Sequence, residues 1–157
     1  MNLIFLLMAF CVGMAMSIQA AVNTQLASSI GANSVVAAFV SFACGTIVLG
    51  GVALSRGGLG PTFAALAGQP VWKFAGGFLG AASVFGTVVL APRIGLLCLI
   101  VLVIAGQLLT SMAIDHFGLI NMAVRKVSNV RVAGACIVAL GVAVTIFGDR
   151  IVATLTR

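Results

Sequence analysis

Five long apolar stretches, separated by short polar or glycine-rich breaks, dominate the pattern of this chain. They run over Leu3–Ala21, Ser34–Leu54, Val71–Leu90, Ile94–Ile114 and Val130–Gly148. Each is long enough, or nearly so, to cross a hydrocarbon core of roughly 30 Å as a helix that rises about 1.5 Å per residue. Backbone groups find no water to bond in lipid, so such segments must be helical. The pattern predicts an all-α integral membrane protein with five transmembrane helices.

Turn and capping residues mark the breaks between these stretches. Asn33 offers an N-cap to the second helix, while "SRGGLGP" and "APRIG" end the second and third. Nothing stops the first stretch before Gly31, and its lack of a cationic start predicts a retained helix rather than a signal peptide. We expect one domain over 1–157, with spans at about 3–28, 34–54, 71–90, 94–115 and 130–148, the fifth being the shortest.

Two weaker patterns concern helix packing and the membrane surface. Small residues recur at four- or seven-residue spacing, which predicts close helix packing. These ridges are Ala9, Gly13, Ser17 and Ala21; Ala37, Ser41 and Gly45; Gly76 and Gly80; and Gly134, Gly141 and Gly148. The segment "PTFAALAGQPVWK" predicts a short interfacial helix next to Trp72 and Lys73, which are typical anchors at a membrane surface.

Composition excludes most other classes of protein. Of the 157 residues, 62% are hydrophobic and 6% are charged, against roughly 25% charged in a soluble domain. The scattered Lys and Arg form no basic run for nucleic acid. The four cysteines lie within apolar stretches without metal-ligand spacing, so we expect small buried side chains, with no disulfide and no metal. Without a nucleophile–base set or a phosphate-binding loop, the chain predicts neither an enzyme nor a cofactor.

Cationic residues give a weak indication of orientation. Five crossings put the two termini on opposite sides of the membrane. The N-terminal side then holds Arg56, Lys73, Arg125, Lys126 and Arg131, and the other side holds Arg93, Arg150 and Arg157. This balance of five to three favours a cytoplasmic N-terminus, but it is also compatible with insertion in both orientations. Both alternatives stay open at this stage.

Uncharged polar residues at depth are the candidate functional positions. Gln19 and Asn23 lie one turn apart on one face of the first helix, and Gln107, Ser111 and Asp115 follow the same spacing on the fourth. Such groups act as interhelical glue worth about 0.6–2 kcal/mol each, or they face a polar cavity. Each residue alone favours glue, whereas the two lines together favour a pocket.

One pair of titratable residues follows the second polar line. Asp115 and His116 end the fourth helix, and histidine exchanges protons near physiological pH. The pair is therefore a candidate proton relay. A solvated helix terminus is the commoner role of such a pair, and the sequence favours that interpretation.

Several motifs together resemble a known family. They are "QAAVNTQLA" from Gln19 with Gly31 behind it, "SFACGT" at 41–46, "GGFLGA", "APRIG", and most specifically "AGQLLTSMAIDHFG" at 105–118. The chain is similar over essentially its whole length to the small five-helix inner-membrane proteins of the YdcZ type, which are related to the drug/metabolite transporter superfamily. Many relatives in that superfamily have ten helices in two inverted halves, and this chain looks like one half. Gln19, Asn23 and Gln107 match recurring polar positions of the family pattern.

The resemblance and the odd helix number imply one working arrangement. An inverted repeat needs a second copy inserted upside down, and alternating-access carriers often place their site at such a repeat interface near the midplane. We expect a small-solute carrier in the bacterial inner membrane, acting as an antiparallel dimer with itself or a paralogue. Gln19, Asn23, Gln107 and Ser111 would form its uncharged solute site. A non-transporting scaffold or assembly subunit and a passive dual-topology channel are the alternatives.

Overall fold

The computed structural model describes residues 2–155 and leaves Met1, Thr156 and Arg157 outside. Arg157, which enters the charge balance above, thus lies beyond the described residues. Six α-helices follow one another along the chain. They are α1 (Leu3–Ser29), α2 (Ser34–Arg56), α3 (Leu59–Leu66), α4 (Ala75–Ile94), α5 (Leu96–Phe117) and α6 (Asn129–Leu155), with 3-10 turns at Val71–Phe74 and Leu119–Asn121. The described part of the chain contains no strand.

Five segments are long and apolar enough to cross a membrane. They are Leu3–Ser29, Ser34–Arg56, Val71–Ile94, Leu96–Phe117 and Asn129–Thr154. The prediction of an all-helical protein with five spanning helices is therefore confirmed. The remaining helix, α3, has only 8 residues and lies in the segment for which a short interfacial helix is predicted.

Two expectations about helix ends are wrong. The fifth span is not the shortest, because α6 runs for 27 residues. Asp149 and Arg150 follow Gly148 without stopping it, since neither charged side chain is a helix breaker. The "APRIG" break also falls later than expected: Pro92 lies inside α4, and the chain turns at Gly95, whose φ is 82°. A left-handed φ suits glycine because it has no Cβ.

The other helix ends follow their sequence signals. The Asn33 side chain accepts a hydrogen bond from the Val36 N–H at 3.0 Å, which confirms the predicted N-cap of α2. Gly57 (φ 70°) ends α2 and Gly118 (φ 61°) ends α5. Each glycine takes a positive φ immediately beyond the last helical residue, where helices commonly end.

The described chain divides into two compact units, the first being Met1–Arg93. Its core is made of small side chains, with Ala37 fully buried and Val88 only 1% exposed, and Ala27 and Leu26 packed against them. Alanine at these positions lets α1 and α2 approach closely, which is how helices associate where lipid removes the hydrophobic driving force, and Val88 of α4 packs against them. A Cβ on Gly80 would lie 3.4 Å from the Phe42 ring, so this side chain of α2 reaches α4 there.

The ridge predicted for the first helix is not the one that packs in this unit. Ala9, Gly13 and Ala21 are exposed, whereas Ala20, Asn23 and Ala27 are buried. Small residues recur at regular spacing on several faces of a helix, and the neighbouring helix determines which of these faces is packed. The cysteines depart from expectation for the same reason. Cys11, Cys44 and Cys136 are free and exposed on the single chain, and Cys98 is half-buried.

The second unit, Ile94–Arg157, contains α5 and α6 and the segment that joins them. Instead of leaving α5 directly, this segment folds back on the end of the helix. The Arg125 N–H donates to the Asp115 carbonyl at 2.7 Å, and the Val127 N–H donates to His116 Nδ1 at 3.3 Å. The first bond satisfies a carbonyl that the helix end leaves without an intrahelical partner, and the second ties the His116 side chain to the segment. The connection between α5 and α6 is consequently an ordered element.

Gly118 is the position on which this connection depends. A Cβ there would lie 2.6 Å from Val124 Cγ2, and the backbone has a φ of 61°. We expect Gly118→Ala to lower the thermal stability of the purified protein in detergent, because the left-handed backbone alone costs about 1–2 kcal/mol for a residue with a Cβ. Gly141→Ala is the matched control, since nothing lies within 4 Å of a Cβ at that helical position. Equal melting temperatures for the two variants would contradict the tight connection.

Candidate functional site

The buried polar side chain of the first unit joins α1 to α2. Asn23 is only 5% exposed, and its Nδ2 donates to Ser41 Oγ at 3.1 Å. Gln19 Nε2 reaches the same oxygen at 3.5 Å, the outer limit of a hydrogen bond. We call Gln19, Asn23 and Ser41 the amide cluster. Two amides one turn apart on α1 thus converge on one hydroxyl of α2.

Asn23 and Gln19 of the amide cluster differ in exposure and therefore in how accessible their hydrogen-bonding atoms remain. Asn23 is buried, whereas the Gln19 side chain is exposed on the single chain and its Oε1 has no hydrogen-bond partner among residues 2–155. Gln19 lies ten residues before the end of α1 at Ser29, which is about 15 Å along the helix axis. This is about half the thickness of a hydrocarbon core. Asn23 therefore joins helices, and Gln19 keeps an acceptor free at mid-membrane depth.

An apolar groove of about 460 Å³ lies between α2 and α4 in the same unit. Phenylalanines dominate its lining, which consists of Val35, Ala38, Phe39, Phe42, Phe78, Ala81, Ala82 and Phe85. None of these side chains can form a hydrogen bond. The groove supplies apolar surface next to α2, and the amide cluster is the part of this unit with chemistry for a polar solute.

The predicted polar line of α5 lies in the second unit and is not uniform. Gln107 is exposed near the middle of the helix, and its amide has no hydrogen-bond partner within the described chain. Ser111 is exposed and donates to the Leu108 carbonyl at 2.9 Å within its own helix. Asp115, in the last turn, is half-buried.

A pocket of about 420 Å³ brings two of these residues together with a third polar side chain. It is lined by Leu108, Ser111, Met112, Asp115, Val127, Arg131, Gly134, Ala135 and Val138. Ser111 and Asp115 thus share one pocket with Arg131 of α6, and Gln107 does not line it. The second unit contains both an amide that faces outward and a pocket that carries both signs of charge.

His116 has a structural contact in this unit. Its Nδ1 accepts the Val127 N–H, and its ring packs edge-on against Phe117 at 4.8 Å between centroids. A proton on Nδ1 would remove that acceptor, so His116 in this arrangement holds the α5–α6 connection. The proposed relay through Asp115 and His116 stays a prediction.

Among residues 2–155, no group of three or more His, Cys, Asp or Glu side chains could hold a metal ion.

Comparison with known protein families identifies the family of this chain. Residues 4–144 match the family described as "Putative inner membrane exporter, YdcZ". The chain belongs to the YdcZ family. No curated protein and no solved structure matches it. The predicted family is confirmed, and with it the inner-membrane location and membership of a transporter family.

The YdcZ match covers every predicted site residue. It begins at the second residue of α1, includes α2 to α5 and ends inside α6. Gln19, Asn23, Gln107, Ser111, Asp115 and His116 therefore all lie within the shared family region. Membership alone gives none of them a role.

Sequence reasoning missed two polar residues of this YdcZ-family chain. Ser41 counts in the sequence only as one small residue of a ridge, although it is the acceptor that gathers Gln19 and Asn23. Arg131 counts only as a loop charge, although it lies inside α6 and lines the charged pocket. A polar member within a ridge of alanine and glycine was the available signal for Ser41. A cation within the first turn of a helix was the signal for Arg131.

Removing the shared acceptor tests the amide cluster. Ser41→Ala leaves the buried Asn23 amide without its partner, and we expect a loss of about 1 kcal/mol of stability. Ser83→Ala is the matched control, because Ser83 Oγ donates only to the Gly80 carbonyl of its own helix at 2.8 Å. A double-mutant cycle with Asn23→Ala, measured by denaturation in detergent, isolates the interaction. A coupling energy near zero would show that the contact contributes nothing.

Proposed function

We propose that the protein is a small-solute carrier of the drug/metabolite transporter type, working as an antiparallel dimer around an uncharged polar site. The observation that carries this proposal is Gln107. Its amide lies near the middle of the apolar helix α5, exposed on the single chain and without a partner among residues 2–155. An amide left in hydrocarbon without a hydrogen bond costs several kcal/mol. A second polar surface, water or a solute must therefore meet this side chain in the membrane.

Depth along the helices supports a site near the midplane. Gln107 lies ten residues before the end of α5 at Phe117, and Gln19 lies ten residues before the end of α1 at Ser29. Both distances correspond to about 15 Å of helix. Each unit thus presents one exposed amide at mid-membrane depth. Amides donate and accept hydrogen bonds without the cost of burying a charge, so they suit a polar, uncharged portion of a solute.

The antiparallel dimer follows from the number of spans and from the exposed amide. Five helices cannot contain an inverted repeat of complete halves, but two oppositely inserted chains supply ten helices related by inverted symmetry. The balance of five to three in Lys and Arg allows both orientations. Under this arrangement the second chain, identical or paralogous, covers the mid-membrane face of α5. The bilayer and the solute are the other partners.

A non-transporting scaffold subunit is the second candidate, and the Asn23–Ser41 hydrogen bond favours it. That bond at 3.1 Å joins two helices of one unit with no solute involved. If every polar group in the membrane had such a role, the amides would only fix helix packing. Gln107 distinguishes the two candidates, because glue requires a partner on another helix and transport requires that the amide stay available.

Cysteine cross-linking tests the antiparallel dimer. Ile100 and Ile114 lie seven residues to either side of Gln107 and share its face of α5. After replacement of the four native cysteines by alanine, an antiparallel pair brings residue 100 of one copy near residue 114 of the other. We expect disulfides when Ile100→Cys and Ile114→Cys copies are co-expressed, and none when either variant is expressed alone. Gln107→Cys should cross-link to itself.

The opposite cross-linking pattern would contradict the arrangement. Copies inserted in the same direction would place each position beside its own equivalent, so Ile100→Cys alone and Ile114→Cys alone would both form dimers. Cross-linking that requires co-expression of a paralogue would support the antiparallel geometry. The dimer would then consist of this chain and the paralogue instead of two identical chains.

Replacing the exposed amide tests transport. We expect Gln107→Leu to abolish the export that the wild-type protein gives, measured as small solutes released into the medium by expressing cells relative to cells without the protein. The melting temperature should stay equal or rise, because leucine suits lipid better than an unpaired amide. Gln69→Leu is the control, since Gln69 lies outside the spanning helices and pairs with Lys73 at 2.7 Å.

The scaffold interpretation leads to a different result. If Gln107 is glue, leucine loosens the assembly, and the melting temperature falls together with any loss of export. Release that is unchanged in Gln107→Leu would remove this residue from the site. Release that does not saturate with internal solute concentration would indicate a channel instead of a carrier.

A further inference from the structure

The pocket of the second unit contains an unusual pair of charges. Asp115 of α5 and Arg131 of α6 both line it, yet neither has an ion-pair partner in the described part of the chain. Arg125 is close along the backbone, since its N–H donates to the Asp115 carbonyl, but its guanidinium does not pair with the Asp115 carboxylate. Two opposite charges that line one pocket usually form an ion pair when neither has another partner.

Each charge also lies at the unfavourable end of its helix. Asp115 is in the last turn of α5, where exposed carbonyls already make the helix end negative. Arg131 is in the first turn of α6, where free N–H groups make the helix end positive. The charges therefore add to the helix dipoles instead of offsetting them. Asp115 and its helix end make one wall of the pocket negative, and Arg131 and its helix end make the other positive.

The rest of the lining is apolar. Leu108, Met112, Ala135 and Val138 contribute hydrocarbon surface, and Ser111 adds one hydroxyl. The volume of about 420 Å³ lies within the range of pockets that hold small molecules. A solute that fits these walls has one ammonium group, one carboxylate and an apolar side chain.

We propose that this pocket binds a zwitterionic α-amino acid with an apolar side chain. The ammonium group bonds to the Asp115 carboxylate, the carboxylate bonds to the Arg131 guanidinium, and the side chain packs on Leu108, Met112 and Val138. Charge-assisted hydrogen bonds at both ends replace the missing internal ion pair. The solute thereby neutralises two charges that the folded chain leaves unpaired. As the class of solute carried, this assignment rests on the proposed carrier function, but binding itself does not require transport.

Equilibrium binding of tritiated L-leucine to the purified protein in lipid nanodiscs tests the proposal. We expect saturable binding that unlabelled L-leucine displaces. At the same concentration, 4-methylpentanoate, which has only the carboxylate, and isopentylamine, which has only the ammonium group, should fail to displace it. Asp115→Asn and Arg131→Gln should each weaken binding about tenfold or more, because each removes one charged hydrogen-bond partner.

Matched controls separate the pocket from charge in general. Asp149→Asn and Arg150→Gln remove one acid and one base from α6 outside this pocket, and binding should stay unchanged. Asp115→Asn and Arg131→Gln should melt no lower than the wild type, since each removes a charge that its helix end disfavours. Weak binding together with preserved melting then reports loss of a ligand contact and not loss of the fold.

Three results would overturn the proposal. They are the absence of saturable leucine binding to the folded protein, binding that survives both pocket variants, and equal displacement by 4-methylpentanoate or isopentylamine, which would make the pocket a simple anion or cation site. Failure of the carrier function gives a different pattern. Leucine would then bind with the expected dependence on Asp115 and Arg131, while expressing cells release no more solute than cells without the protein.

Discussion

A bilayer offers no hydrogen bonds, and this constraint decides the placement of every polar side chain in the spanning helices. Backbone groups are satisfied within each helix. Serine and threonine hydroxyls can do the same, as Thr24, Thr46 and Thr145 do by donating to carbonyls four residues earlier at 2.8 Å. Amides cannot return to their own helix as easily. Asn23 therefore depends on Ser41 of a neighbouring helix, whereas Gln107 has no hydrogen-bond partner among residues 2–155.

Close packing of small side chains makes the hydrogen bond between Asn23 and Ser41 possible. Ala27 and Ala37 let α1 and α2 approach closely enough for Asn23 Nδ2 to reach Ser41 Oγ at 3.1 Å. A larger residue at Ala37, which is fully buried, would separate the helices and the amide cluster together. Packing and polar pairing are therefore parts of one interface. The same helix leaves Gln19 exposed, so one face of α1 both fixes the bundle and presents an acceptor at mid-membrane depth.

In the second unit, the uncharged amide lies in the middle of a helix and the charged side chains lie at helix ends. Gln107 lies at depth with no charge near it, whereas Asp115 and Arg131 lie in terminal turns of α5 and α6, where water and headgroups reduce the cost of charge. The α5–α6 connection, held by bonds to Asp115 and His116, closes one side of the pocket through Val127. In the proposed carrier, a solute would therefore meet charged side chains near the surface and uncharged amides at depth.

The sequence by itself determined the properties that depend on composition and on local chain chemistry. Five spans follow from apolar length, the start and end of α2 follow from Asn33 and Gly57, and family membership follows from short motifs. Pairing across helices was decided only by the tertiary structure. Periodicity puts Gln19 and Asn23 on one face, but it cannot say which face meets α2, that Ser41 is their partner, or that Ala9 and Gly13 stay unpacked. Arg131 joins Asp115 in one pocket only because the connection folds back and brings the start of α6 beside the end of α5. Spacing along one helix is fixed by the backbone, whereas contacts between helices depend on which of several similar stripes pack together.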